Sequence, residues 1–230
     1  MGKITILTDT TPKNPITLIG RRAGVCWGAD ISDDNKNYKR GLSCLKDNHG
    51  RTFEFPCVDL IIDGYSSRVI REWYTHIGGS PTRLQESTRY VDCENFDYII
   101  PRSVLFSAQA TNEYIEAMNN IKESYRKLEL MHIPKEDIAN ILPLGMTTKI
   151  VDHRNLRNYI DMMANRRCNR AYWEFRELAD DICDALSSYS EEWKYLVDNY
   201  FIAKCDRLGY CTESRGCGKY PHKEKDNTVK

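Results

Sequence analysis

The residues from Arg71 to Tyr90, Arg-Glu-Trp-Tyr-Thr-His-Ile-Gly-Gly-Ser-Pro-Thr-Arg-Leu-Gln-Glu-Ser-Thr-Arg-Tyr, carry the densest chemistry in the chain. They open as an amphipathic helix and break at Gly78, Gly79 and Pro81. The loop beyond is crowded with hydroxyls, a carboxamide and two arginines, Arg83 and Arg89. Glycines let a backbone approach a ligand closely, and arginine forks pair with planar anions such as phosphate. Such a loop, set directly after a rigid helix, suits a phosphorylated small molecule. It also suits a solvated loop whose arginines pair with nearby acids, and residue types alone leave both readings open.

A second group runs from Asn155 through Arg157 and Asp161 to Arg166, Arg170, Trp173, Glu174 and Arg176. Arg157 and Arg166 are nine residues apart. On one continuous helix they point to opposite sides, about 13.5 Å apart along the axis, and cannot grip one small group. Either the helix breaks near Asn165 or the two arginines serve different ligands; surface pairing with acids is the plain alternative. Cys168, flanked by Arg167 and near Arg170, is the one thiol whose surroundings could lower its pKa toward a nucleophile's.

Hydrophobic periodicity supplies the elements that must hold these residues. Ile4–Leu7 and Ile16–Ile19 have the β-branched content of short strands, and Val58, Leu60 and Ile62 alternate with acids as a third. The segment from Gly28 to Gly41 is a loop or helix start, and residues 47–50 mark a turn. Ser66 or Ser67 can cap a helix whose Val69, Ile70, Trp73 and Tyr74 share a face. Between Val104 and Leu130, the residues Tyr114, Met118, Ile121, Tyr125 and Leu128 form one stripe of a long helix, destined for core or a subunit interface. Pro134 opens a further helix that Pro143 ends. Thr147–Val151 reads as a strand, followed from Asp152 or His153 by a helix with Leu156, Tyr159, Ile160 and Met163 on one face. The last long helix carries Ala171, Phe175, Leu178, Ala179, Ile182 and Leu186. The fold class expected is α+β, a single domain over residues 1–204 with an antiparallel or mixed sheet flanked by long helices.

At 230 residues the chain can bury a proper core. Lys plus Arg equals Asp plus Glu at 33 each, so no net positive field invites nucleic acid or an anionic membrane. No run approaches the roughly 18 apolar residues of a membrane span, and no secretory pattern opens the chain, so the expected location is cytoplasmic. Of nine cysteines, six are scattered as buried small hydrophobes usually are. Cys205, Cys211 and Cys217 follow at six-residue steps with His222 beyond, without the close ligand pair of a zinc site. No metal is expected; residues 205–230 read as a thiol-rich, partly disordered tail, with Lys223–Lys230 disordered.

Several of these segments together resemble the flavin-dependent thymidylate synthases. In that family a helix ends in Arg-His-Arg and a loop closing in Asn-Glu-x-Ser-x-Arg-Tyr follows; His76, Ser87, Arg89 and Tyr90 match it. Asn155, Arg157, Arg166, Ala171, Trp173, Glu174 and Arg176 fall into register with the family's Asn-x-Arg helix start and its Arg followed by Ala-Gln-Trp-Glu-Ile-Arg. His49 to Glu54 is similar to a His-x-x-x-x-Glu motif, Ser67-Arg68 to a Ser-Arg step and Leu142-Pro143 to a Leu-Pro step. The similarity covers residues 49 to 178. Thr75, Ile77 and Ala139 stand where the family has arginines, Glu72 where it tends to have Gln, and Leu84-Gln85 at Asn-Glu. The loop is two residues longer.

The resemblance implies reductive methylation of dUMP to dTMP, with methylenetetrahydrofolate giving the carbon and NADPH-reduced FAD giving hydride. It implies FAD contacts at Glu54, His76, Asn155 and Arg157, and dUMP contacts at Ser87, Arg89 and Arg166, with Arg166 catalytic against the uracil ring. Arg83, in the lengthened loop, is placed to replace a missing cation at the nucleotide. The partners implied are a nucleotide and a folate, and the assembly a homotetramer with active sites between chains. Two alternatives follow from the departures: a related pyrimidine nucleotide hydroxymethylase, and a non-catalytic nucleotide-binding homologue.

Overall fold

Pro15 begins a helix where the sequence suggested a strand. In the computed structural model, which describes residues 2–223, β1 (Lys3–Ile6) is followed by α1 (Pro15–Cys26) and α2 (Asp34–Lys46). A 3-10 turn (Gly50–Glu54) leads to β2 (Cys57–Ser66), α3 (Ser67–Trp73) and β3 (Thr82–Gln85). Next come α4 (Arg102–Leu105), α5 (Ala108–Leu130), α6 (Lys135–Ile138) and a 3-10 turn (Ala139–Ile141). β4 (Thr147–Asn155), α7 (Leu156–Arg166), α8 (Trp173–Tyr189), α9 (Glu191–Tyr200) and α10 (Lys204–Leu208) complete the order. The fold is α+β, with one four-stranded antiparallel sheet flanked by helices. Its strand order is β1-β2-β4-β3. No described helix is long and apolar enough to cross a membrane.

The chain forms two compact units. The first comprises Ile61–Thr75 and Arg83–Val151 with residues 2–3; the second comprises Ile4–Leu60, His76–Thr82 and the chain from Asp152 onward.

In the first unit the stripe on α5 is core. Met118 and Tyr125 are buried with Cys93, Phe96, Ile138 and Met146, and Tyr114, Ile121 and Leu128 pack against them. Ser107 caps α5 by accepting from the Ala110 N–H, and Ser66 caps α3 by accepting from Val69. The Glu86 N–H donates to the Lys149 carbonyl at 2.9 Å. The Gln85 carboxamide donates to the Thr148 hydroxyl at 3.2 Å, so the loop toward Ser87 leaves β3 tied to β4.

In the second unit α1 and α2 cross in direct backbone contact. A Cβ on Gly20 would fall 1.8 Å from the Asn37 carbonyl oxygen, and one on Gly41 would fall 2.0 Å from that of Ile16. This contact corrects the strand expected at Ile16–Ile19. Pro15 sits in the first helical turn, and Ile16, Ile19 and Ala23 are buried at helical spacing. The Ile16 and Thr17 N–H groups both donate to one Glu192 carboxylate oxygen, at 2.7 and 3.0 Å. An acid from α9 thus satisfies open N–H groups of α1, a long-range cap that local pattern does not reveal. The strand expected at Thr147–Val151 also runs further, to Asn155. The C-terminal stretch contains α10 and a bridge between Cys211 and His222. Lys219 pairs with Asp206 at 2.6 Å. Residues 224–230, most of the segment expected to be disordered, lie outside the described residues.

Candidate active site

The joint between β4 and α7 organises the site. Strand alternation puts Asp152 and Arg154 on one face, and both are fully buried as a two-pronged ion pair at 2.8 and 2.9 Å. Asn155 then caps α7 by accepting from the Asn158 N–H at 2.9 Å. The remaining guanidinium capacity of Arg154 reaches the Asn158 side chain and the His76 carbonyl, the latter at 3.2 Å. Asn158 in turn donates to the Gly78 carbonyl. Two buried side chains therefore hold the main chain on either side of Ile77.

That grip fixes the His76 ring. Arg166, the last residue of α7, donates from Nε to His76 Nε2 at 2.8 Å. Its guanidinium lies 4.6 Å from the centroid of Phe175, and the His76 ring meets Phe175 edge-on at 6.0 Å. Burial, then the charges of Arg166 and Arg154, lowers the His76 pKa to about 4. The ring is neutral near pH 7, with its lone pair on Nε2 and its proton on Nδ1. Arg166 lines a cleft of about 240 Å³ together with Cys168, Arg170, Lys204 and Glu213. A guanidinium oriented in this way can stabilise negative charge developing on a ligand in that cleft.

Arg157 occupies the other end of α7 and another cleft. The helix is continuous from Leu156 to Arg166, so the two arginines are separated as the helical period requires. Arg157 donates to Glu54 at 2.8 Å, and Arg51 lies 3.6 Å from the same carboxylate. The cleft beside them, about 530 Å³, is lined by Arg51, Arg157, Asp161 and Arg207. Asn155 lies against Gly79, whose φ is +73°; a Cβ there would fall 2.3 Å from the Asn155 amide nitrogen.

The remaining expected residues belong to the first unit. The Ser87 hydroxyl accepts from the Arg89 N–H at 3.3 Å, and Arg89 pairs with Glu136 at 3.0 Å. Arg83 donates to the Tyr74 carbonyl at 3.0 Å and stacks 4.5 Å from the centroid of the Tyr74 ring. Of the residues standing at arginine positions, the Thr75 hydroxyl donates to the Glu72 carbonyl at 2.7 Å, Ile77 is 69% exposed, and Ala139 begins a 3-10 turn.

The thiols divide by environment. Burial pushes Cys183 up to about 12 and raises Cys44, Cys57 and Cys93, so these are poor nucleophiles. Cys168 lines the Arg166 cleft with Cys205 and Cys211. Among the described residues no group of three or more His, Cys, Asp or Glu is placed to hold a metal ion.

Two features escaped the sequence reading. The Asp152–Arg154–Asn158 network carried a local signal, an acid and a base two apart at a strand end with an amide one turn on. Lys204 carried none, because apolar periodicity fails beyond α9.

Comparison with known proteins identifies the family. The profile of the thymidylate synthase complementing protein family matches residues 6–189. A flavin-dependent thymidylate synthase of Geobacter sulfurreducens is 35% identical over 187 residues, covering 77% of this chain and 78% of its own. One from Nitratidesulfovibrio vulgaris is 29% identical over 208 residues, covering 85% and 82%. One from Clostridium tetani is 26% identical over 251 aligned positions, covering 98% and 97%. The match spans both the Arg71–Tyr90 stretch and the His76–Arg166 contact, and the chain belongs to the thymidylate synthase complementing protein family, the enzymes named flavin-dependent thymidylate synthases.

Proposed function

We propose that the chain converts dUMP to dTMP by reductive methylation, with methylenetetrahydrofolate as carbon donor, FAD as redox cofactor and NADPH as reductant. The observation that carries this reading is the Arg166 guanidinium, held at 2.8 Å by a neutral His76 on the wall of a cleft. Moving electrons onto a uracil ring builds negative charge on its oxygens and nitrogen. A fixed guanidinium stabilises that charge most where water is excluded. His76 acts by staying neutral, since the protonated ring would offer no lone pair and would repel Arg166. Ser87, Arg89 and Arg83 are read as further nucleotide contacts. No enzymic thiol is required.

The residues of the second cleft fit FAD. Arg51, Arg157 and Arg207 can pair with its diphosphate, and Glu54 orients Arg157. Asn155 and His76 belong to the same expected set, although neither lines this cleft and His76 bonds Arg166. When bound, the flavin supplies the hydride that finishes the methyl group. A homotetramer belongs to this reading; Phe106 at 90% exposure and Leu130 at 80% are the apolar surface that supports it.

The test is product analysis on the full chain given dUMP, methylenetetrahydrofolate, NADPH and FAD. Formation of dTMP is the expected result. A hydroxymethylated nucleotide, from dUMP or from dCMP, would reassign the product. Nucleotide binding without turnover would leave a non-catalytic homologue.

A further inference from the structure

The thiols that the proposed chemistry leaves unused gather in one place. Cys205, Cys211 and Cys217 stand at six-residue steps, distant in sequence from Cys168. The fold returns them to the residues after α7. Cys168, Cys205 and Cys211 are half-buried and line the Arg166 cleft of about 240 Å³. Cys217 Sγ accepts from the Asn169 carboxamide at 3.8 Å. Cys44, Cys93 and Cys183 are buried instead, which shields them from exchange with thiol reagents.

Within the cleft the thiols divide. Cys211 is turned toward His222: its Sγ and the His222 ring both lie 3.4 Å from where a Cβ on Gly216 would stand, and the two residues share a β-bridge. Cys168 and Cys205 are near enough for charge on one to be felt by the other. The Cys205 pKa is raised by burial first, then by Asp206 and Cys168, which makes Cys205 the later-acting thiol of the two. The wall that carries Cys205 meets the Cys168 loop through Arg170 and Glu213 at 3.0 Å. Both partners are about half exposed, so that pair resists movement of the wall only weakly.

We propose that Cys168 and Cys205 form a reversible thiol–disulfide pair, and that its oxidation by a low-molecular-weight disulfide closes the Arg166 cleft. The Cys168 thiolate attacks one sulfur of the reagent, whose S–S bond breaks and releases a first thiolate. The Cys205 thiolate then attacks the Cys168 sulfur, forming the Cys168–Cys205 bond and releasing the second. Two electrons pass from the protein to the reagent, and the protons of the two cysteines end on the released thiols. The new bond draws α10 toward the residues after α7, two positions from Arg166, and narrows the space between them. The crosslink stands on the thiols alone; its effect on a nucleotide rests on the dUMP reading above.

Treatment of the full chain, supplied with FAD, with glutathione disulfide tests it, followed by peptide mapping without reductant and calorimetric titration with dUMP. Cys168 and Cys205 should be recovered in one linked peptide that dithiothreitol separates, in the wild type and in Cys211→Ser alike. Affinity for dUMP should fall about tenfold or more on oxidation and recover on reduction. Cys168→Ser and Cys205→Ser should bind dUMP as the reduced wild type does, with or without the reagent. Mixed glutathione disulfides alone, or either cysteine linked to another thiol, would overturn the inference. A Cys168–Cys205 link with unchanged dUMP affinity would overturn it too. A reduced chain that binds no dUMP would overturn the nucleotide reading instead. Amide hydrogen exchange over residues 204–213 then decides the inference by itself: slowed by the bond it supports closure, and unchanged it refutes closure.

Discussion

Arg166 and His76 meet nitrogen to nitrogen, Nε donating to Nε2 at 2.8 Å. Two groups that could both be cationic can share a hydrogen bond only while one is neutral. Burial makes His76 the neutral partner, and the nearby guanidinium groups of Arg166 and Arg154 reinforce it.

A pH dependence follows. The folded-state pKa of about 4 lies below the ordinary 6.5, so between those values the unfolded chain binds the extra proton. Stabilisation by neutral His76 is complete above pH 6.5 and is lost as pH falls toward about 4. His76→Gln keeps an acceptor without titrating. Urea midpoints measured across that window should fall more steeply for the wild type than for His76→Gln; parallel curves would refute the assignment.

Arg154 should be the most costly single residue of the network. Arg154→Met removes the guanidinium that the buried Asp152 faces and should destabilise by about 3–5 kcal/mol. Adding Asp152→Leu should recover much of that loss, because a buried pair replaced by apolar side chains of similar size is often neutral. Chemical denaturation of the single and double variants checks both statements.

Gly79 is required twice over, by its φ of +73° and by the 2.3 Å approach to Asn155. Gly79→Ala should cost about 1–3 kcal/mol and displace the Asn155 side chain, one of the proposed flavin contacts. Fluorescence titration with FAD should show affinity lowered by about tenfold or more.

Glu54 separates binding from stability. Its pair with Arg157 is half exposed, so Glu54→Ala should change stability by under about 1 kcal/mol. Flavin affinity should nevertheless fall, because Arg157 loses the group that orients it. An unchanged affinity would remove Glu54 from the proposed flavin contacts.

Much of this site was legible from residue order because it depends on local rules. The 3.6-residue period alone separated Arg157 from Arg166, and they line different clefts. Ser66 caps α3 as its type suggested. The α5 stripe is core for the same periodic reason. What stayed hidden depends on distant partners. The Ile16–Ile19 segment is a helix because Glu192, 176 residues away from Ile16, caps it and because Gly41 admits its backbone. Arg154 reaches the His76 carbonyl across 78 residues. Lys204 joins the Arg166 cleft from a helix of five residues, too short to leave a period in the sequence.

The most direct test of the central claim is the visible absorption spectrum of the purified full chain, with FAD supplied, before and after dUMP. The account predicts an oxidised-flavin spectrum that dUMP perturbs in the wild type and leaves unchanged in Arg166→Ala. A colourless protein that takes up no FAD, or a bound flavin blind to dUMP, would contradict it.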